Sequence, residues 1–355
     1  MPKKRVLYLD VLRIISCFGV VLRHVCSTYW DHLPTNSVRW QLLCLYDSLF
    51  IFAVPVFVMI SGALFLAPEK EISIRRLLGR NVLRLLTSFL FWSGLGALRL
   101  QRIYRGCGAT DLTNLKRFVF DTLFSSPSLG FLLTLIGLYL AVPLLRCITK
   151  DKKTVWYFLA LAFIFNSCVN FLCFVPGLGG WLYEHALMLR DRISVQPVLG
   201  YVGYFLLGHV LADYDFKPAV RRGIYALAVL GQLWATLYAA YVSYRTGVPD
   251  QSSFGYLLPT TVFISAGLFL WCREHLSGLS CTTRPGKIIR ELGLCSFGVY
   301  LTHGLLLGLA MDAGIMENAM NPAVFSLLAA AVLFGAGCAI SWLIRRIPAI
   351  SRYLI

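Results

Sequence analysis

The sequence is poor in charge, and poorest in carboxylates. Only 14% of its 355 residues are charged, and 17 acidic residues stand against 33 basic ones. Soluble domains carry roughly 25% charged residues, so the shortage excludes an ordinary water-soluble fold. The eleven cysteines include no C-x-x-C pair, which removes the usual signature of a thiolate metal site or a redox dithiol; scattered free thiols in apolar surroundings are expected, and no metal. Long polar or low-complexity stretches are missing, as is an internal repeat of the kind many transporters show. A single integral-membrane domain over residues 1–355 is therefore expected.

Hydrophobic residues are abundant instead, at 58% of the chain. Segments of about 20 apolar residues match the ~30 Å hydrocarbon core of a bilayer. Ten stretches come close to that length: 7–28, 46–67, 81–100, 129–148, 154–174, 197–214, 222–244, 256–273, 292–311 and 322–344. The fold class expected is all-α, a polytopic membrane protein of about ten transmembrane helices. With the N-terminus in the cytoplasm, 22 of the 33 Lys and Arg fall on that side and 9 on the other. The positive-inside rule thus puts both termini in the cytoplasm. That banding also accounts for the net charge of +16 without a nucleic-acid partner; membrane lipid is the partner it implies. The basic loop with Arg99, Arg102, Arg105, Lys116 and Arg117 runs against the rule. Asp10 and Arg13 interrupt the apolar run that a cleavable signal would need, so the first segment reads as a retained helix.

That first segment, LDVLRIISCFGVVLRHV, holds Asp10, Arg13, Arg23 and His24. Each charge near a bilayer centre costs at least ~2.5 to 3.5 kcal/mol, even on lenient scales. Arg13 and His24 are 11 residues apart, three helical turns plus about 20°, so they share one face about 16 Å apart in height. Asp10 is placed to pair with Arg13 at i, i+3. Arg23 points about 100° away and reads as an interfacial snorkelling residue. In LGLCSFGVYLTHG, Ser296, Tyr300 and His303 form a polar stripe at i, i+4 and i+7. In EKEISIRRLLGRNVLR, Arg76, Arg80 and Arg84 recur every four residues and would make a basic ridge for phosphates or for anionic lipid. On residue chemistry alone, lipid contacts and interhelical hydrogen bonds explain the arginine ridge, Ser296 and Tyr300 as well as a site does, while His303, and Arg13 with His24 on one face, point more to function.

Four ordered motifs, however, resemble one family from end to end. Leu9 to Arg13 with His24 resembles the LD-x-LR and R-x10-H signature of the membrane-bound acyltransferase 3 family. VPVFVMISGALF (residues 54–65) resembles its second-helix segment, with Pro55, Ser61 and Gly62; LIGLYLAVPLL (residues 135–145) resembles the fourth-helix motif, with Tyr139 and Pro143. LGLCSFGVYLTH resembles the late helix ending G-[IV]-Y-x-x-H. Within the family the likeness is to the branch with the O-acetyltransferase of enterobacterial common antigen.

The resemblance implies an O-acyltransferase that moves an acyl group, usually acetyl from cytoplasmic acetyl-CoA, to a hydroxyl of an envelope glycan or lipid-linked glycan at the outer face. It implies His24 as general base and Arg13 as the companion functional residue, ordering the donor arm or pairing with Asp10. Tyr300 and His303 would hydrogen-bond the thioester oxygen or the acceptor. Arg76, Arg80 and Arg84, with Ser61, would hold the CoA cosubstrate. An acyl-histidine intermediate stays open, as do the acceptor and the oligomeric state. The chain departs from the family in the spacing of its loop arginines, in SLGF at residues 128–131 where an aromatic pair is usual, and in Ala63 after Ser-Gly. The alternative from the residues is a proton-coupled transporter or exporter of a small polar solute, with Asp10, Arg13, His24 and His303 as its relay; a structural membrane partner is a third reading.

Overall fold

Apolar runs closed by capping residues set the elements of the computed structural model, which describes residues 5–67, 73–104, 111–124, 128–316 and 321–355. Helix α1 is Leu7–Ser27. Helix α2, Val38–Leu49, starts where the Ser37 side chain accepts from the Trp40 amide, and α3, Ala53–Phe65, follows after a short break. Helix α4, Leu83–Tyr104, is entered through a π-turn at Leu77–Val82. Then come α5 (Asp111–Phe124) and α6 (Phe131–Ile148). Asp151 caps α7, Lys152–Ala162, which runs into a second π-turn at Phe163–Cys168. Helices α8 (Gly179–Arg192), α9 (Val202–Asp213) and α10 (Pro218–Thr246) follow. Gly247 ends α10 at φ +73°, a left-handed conformation that costs glycine nothing. Helices α11 (Pro259–Leu276), α12 (Arg284–Asp312), α13 (Pro322–Arg345) and α14 (Pro348–Leu354) complete the chain. Proline in the first turn of α10 to α14 occupies positions whose amide would lack a helical partner anyway.

The all-helical polytopic class is as expected: no strand occurs among the described residues, and seven helices are long and apolar enough to cross a membrane. Three of the expected spans fall on other helices. Helix α1 carries Asp10, Arg13 and Arg23; α9 has 12 residues; and α11 closes on Arg273, Glu274 and His275. The loops expected at 29–45, 101–128 and 175–196 hold helix as well, in the first turns of α2, in α5 and in α8. Their apolar residues recur at helical spacing but in runs too short to read as spans.

Small residues let the helices approach closely, as in membrane bundles generally. A Cβ at Gly62 in α3 would fall 1.8 Å from the Phe205 carbonyl oxygen in α9, and one at Gly208 would fall 2.0 Å from the Met59 carbonyl oxygen. The two backbones therefore meet through reciprocal glycines. Helices α1 and α12 run parallel: Asp10 packs on Gly293, the Cys17 thiol reaches the Ser296 carbonyl at 3.2 Å, and His24 faces His303. The tail helix α14 is hung on α4, where Thr87, Ser88 and Trp92 donate to the Tyr353 and Leu354 carbonyls. All ten described cysteines are free thiols; Cys147 and Cys173 are exposed rather than buried.

Candidate active site

Asp10 is wholly buried and accepts from two arginines. Arg5 donates to both its oxygens at 2.6 and 2.8 Å, and Arg13 donates at 2.8 Å. The i, i+3 pair expected from the sequence is present, and the second cation is an addition. One carboxylate against two guanidiniums leaves net positive charge, and that charge borders a cavity of about 590 Å³. Arg5, Arg13, Arg84 and Arg345 all line this cavity, with Ser61, Asn81 and Tyr139, and no Asp or Glu side chain is among its described lining residues. Its size falls within the ~300 to 1,000 Å³ of small-molecule sites.

Local structure explains how each group arrives there. The backbone contact at Gly62 fixes α3 against α9, and the neighbouring Ser61 hydroxyl bonds the Tyr139 phenol. Pro143 lies inside α6 and has no amide for the Tyr139 carbonyl one turn earlier. Arg84 follows the π-turn, and its guanidinium lies 5.0 Å from the centroid of Phe297, a cation–π contact that holds the charge at the cavity wall. Arg345 also reaches Glu291 and the Cys295 thiol. Of the three ridge arginines, only Arg84 lines the cavity; Arg76 and Arg80 are exposed outside it.

Three rings, Phe57, Phe131 and Tyr300, also line the cavity. Phe57 and Phe131 pack on Tyr300 with centroids 6.4 and 6.3 Å away. The Tyr300 hydroxyl donates to the Ser128 carbonyl, which fixes the ring and commits its proton. Beyond Tyr300 lie His303, at 5.7 Å between centroids, and His24, whose ring is 5.0 Å from that of His303. His24 Nδ1 is 2.8 Å from the Val20 carbonyl oxygen and His303 Nδ1 is 2.6 Å from that of Tyr300. A carbonyl only accepts, so Nδ1 carries the proton in each neutral ring and both Nε2 atoms keep a lone pair. His303 Nε2 is buried without a partner among the described residues. In this arrangement the Tyr300 hydroxyl proton lies on the Ser128 carbonyl and the His303 Nδ1 proton on the Tyr300 carbonyl, while the Tyr300 oxygen and His303 Nε2 keep lone pairs.

Arg23 is not a snorkelling residue. It is mostly buried and donates to both oxygens of Asp47, at 2.9 and 3.2 Å, and to the Tyr256 hydroxyl at 3.0 Å. Tyr204 in turn donates to the Tyr256 carbonyl at 2.6 Å. This network pins the end of α1 beside His24. Arg99 likewise has a partner, pairing bidentately with Asp312 at 2.6 Å, while Lys116 and Arg117 lie exposed on α5. Arg102 and Arg105 fall outside the described side chains.

Sequence reasoning did not select Arg5, Arg345, Asn81, Asp47 or Tyr256. Arg5 and Arg345 sit in charge clusters that topology already explains, and Asp47 and Tyr256 meet Arg23 only through tertiary packing. Tyr139 was legible, because it stands in the fourth-helix motif.

Fold and site together define a polytopic helical membrane protein with an arginine-lined cavity leading toward paired imidazoles. The acyltransferase domain of the acyltransferase 3 family matches residues 6–346, and the chain belongs to that family; it is a membrane acyltransferase. It is also similar to the nodulation protein NolL of Sinorhizobium fredii, at 23% identity over 98% of this chain and 90% of that protein. No solved structure matches it.

Proposed function

We propose that the protein is an O-acyltransferase of the bacterial inner membrane. In this reading it carries an acyl group, acetyl in the first instance, from cytoplasmic acyl-CoA to a hydroxyl of an envelope glycan or lipid-linked glycan. The observation that carries the reading is the cavity lined by four arginines, by Tyr300 and, among the described residues, by no Asp or Glu side chain. Guanidiniums bind phosphate through charge-assisted, often bidentate hydrogen bonds, so this lining suits the phosphate-rich end of CoA. Arg84 and Arg345 face the phosphates; Arg13, held by Asp10, and the Ser61–Tyr139 pair lie along the arm.

The chemistry falls to the imidazoles. A sugar hydroxyl is a weak nucleophile while protonated, and a neutral imidazole with a free lone pair is suited to take that proton. His24 Nε2 takes the hydroxyl proton as the oxygen attacks the thioester carbonyl. The carbon–sulfur bond then breaks, and the CoA thiolate leaves and recovers that proton from the imidazolium. The Val20 carbonyl holds the base in the required tautomer throughout.

Inside-out membrane vesicles given radiolabelled acetyl-CoA test the proposal, with mass spectrometry of the envelope glycans. Label in a non-CoA fraction and a one-acetyl mass difference dependent on the protein are expected. Donor that neither binds nor transfers would overturn it.

A further inference from the structure

The imidazoles that serve as base and neighbour do not line the donor cavity; Tyr300, which does, lies between it and His303, with Phe57 and Phe131 packed on Tyr300. We infer that Phe57, Phe131 and Tyr300 form a collar that limits the donor to short acyl groups. The inference rests on the transfer reading above.

Phe57 comes from α3, Phe131 from the first residue of α6 and Tyr300 from α12, so the collar joins three helices where the cavity lining reaches the ring next to His303. Its rings are fixed. The Tyr300 hydroxyl is tied to the Ser128 carbonyl, and Phe131 also packs on Tyr201, 6.1 Å between centroids. A thioester carried on CoA reaches His24 only by threading its acyl end past these rings. Beyond them, Tyr300 and His303 are three residues apart on one helix, a rise of about 4.5 Å. The two imidazole rings close that space with centroids 5.0 Å apart. An acetyl group fits the depth of less than one turn, and each further methylene is driven into the rings. Apolar pockets of this kind discriminate by about 10- to 200-fold per methylene.

The test compares acetyl-, propionyl- and butyryl-CoA as labelled donors in the same vesicles. The readout is the ratio of kcat/KM values, not their absolute size. The wild type is expected to prefer acetyl over butyryl by at least about a hundredfold. Phe131→Ala and Phe57→Ala should each cut that ratio at least tenfold. Phe163→Ala, in a separate apolar groove beside α9 to α11, should leave the ratio as it is. Phe57→Leu and Phe131→Leu supply milder versions should the alanine variants not fold. Equal use of acetyl and butyryl by the wild type, or collar variants with an unaltered ratio, would overturn the collar and leave the transfer reading standing. Absence of transfer from every donor would instead remove the reading beneath it.

Discussion

The two halves of the site handle charge in opposite ways. Around Arg13 positive charge is left in excess: one buried carboxylate serves two arginines, and two more guanidiniums face the same open cavity. Around His24 charge is cancelled: Arg23 and Asp47 neutralise each other in a bidentate pair, and the groups left over are two uncharged rings with lone pairs. An excess of fixed cations recruits a polyanion and holds it. A neutralised, closed environment leaves a proton acceptor free to act, without a nearby charge competing for the proton. The contrast teaches that one helix, α1, serves both halves, and that its apolar middle keeps them apart.

Substitutions can break this contrast at either end. The largest effect is expected for His24→Ala, which should lower transfer by about 10² to 10⁴, the usual worth of a general base; assays of folded variant protein check it, and retained turnover would remove the base assignment. Asp10→Ala leaves two arginines without their shared buried carboxylate, and broken buried pairs typically cost about 3 to 5 kcal/mol. Thermal unfolding in detergent should show that loss, whereas a surface pair would give under about 1 kcal/mol. Arg84→Ala removes one charge-assisted contact, worth about 1.5 to 3 kcal/mol, so the apparent KM for the donor should rise roughly 10- to 100-fold. The smallest effect is expected for Arg76→Ala and Arg80→Ala, which lie outside the cavity lining. A change of less than about twofold in donor KM would sharpen the contrast within the basic segment; a change as large as that of Arg84→Ala would mean the phosphates bind along the whole ridge.

Much of this was legible in the sequence, for identifiable reasons. The helical class follows from apolar run length against bilayer thickness. The Asp10–Arg13 pair follows from spacing on one helix. His24 and His303 were both singled out on separate helices, and the structure brings them together. Long-range packing was not legible. Arg23 looked like an anchor because Asp47 and Tyr256 lie 24 and 233 residues away in sequence. The i, i+4 spacing suggested three equal arginines in one ridge, and the π-turn at Leu77–Val82 precedes the only one that faces the cavity. The reciprocal glycines, Gly62 and Gly208, carry no signal of contact until α3 and α9 are seen together.

The central claim is that the Arg13 half binds the donor and the His24 half performs the chemistry. Saturation binding of acetyl-CoA to purified wild type, Arg84→Ala and His24→Ala proteins, run side by side, tests it most directly. The account predicts a Kd within about twofold of wild type for His24→Ala, and a Kd about tenfold or more weaker for Arg84→Ala. Equal loss of binding in both variants, or weakened binding in His24→Ala alone, would contradict it.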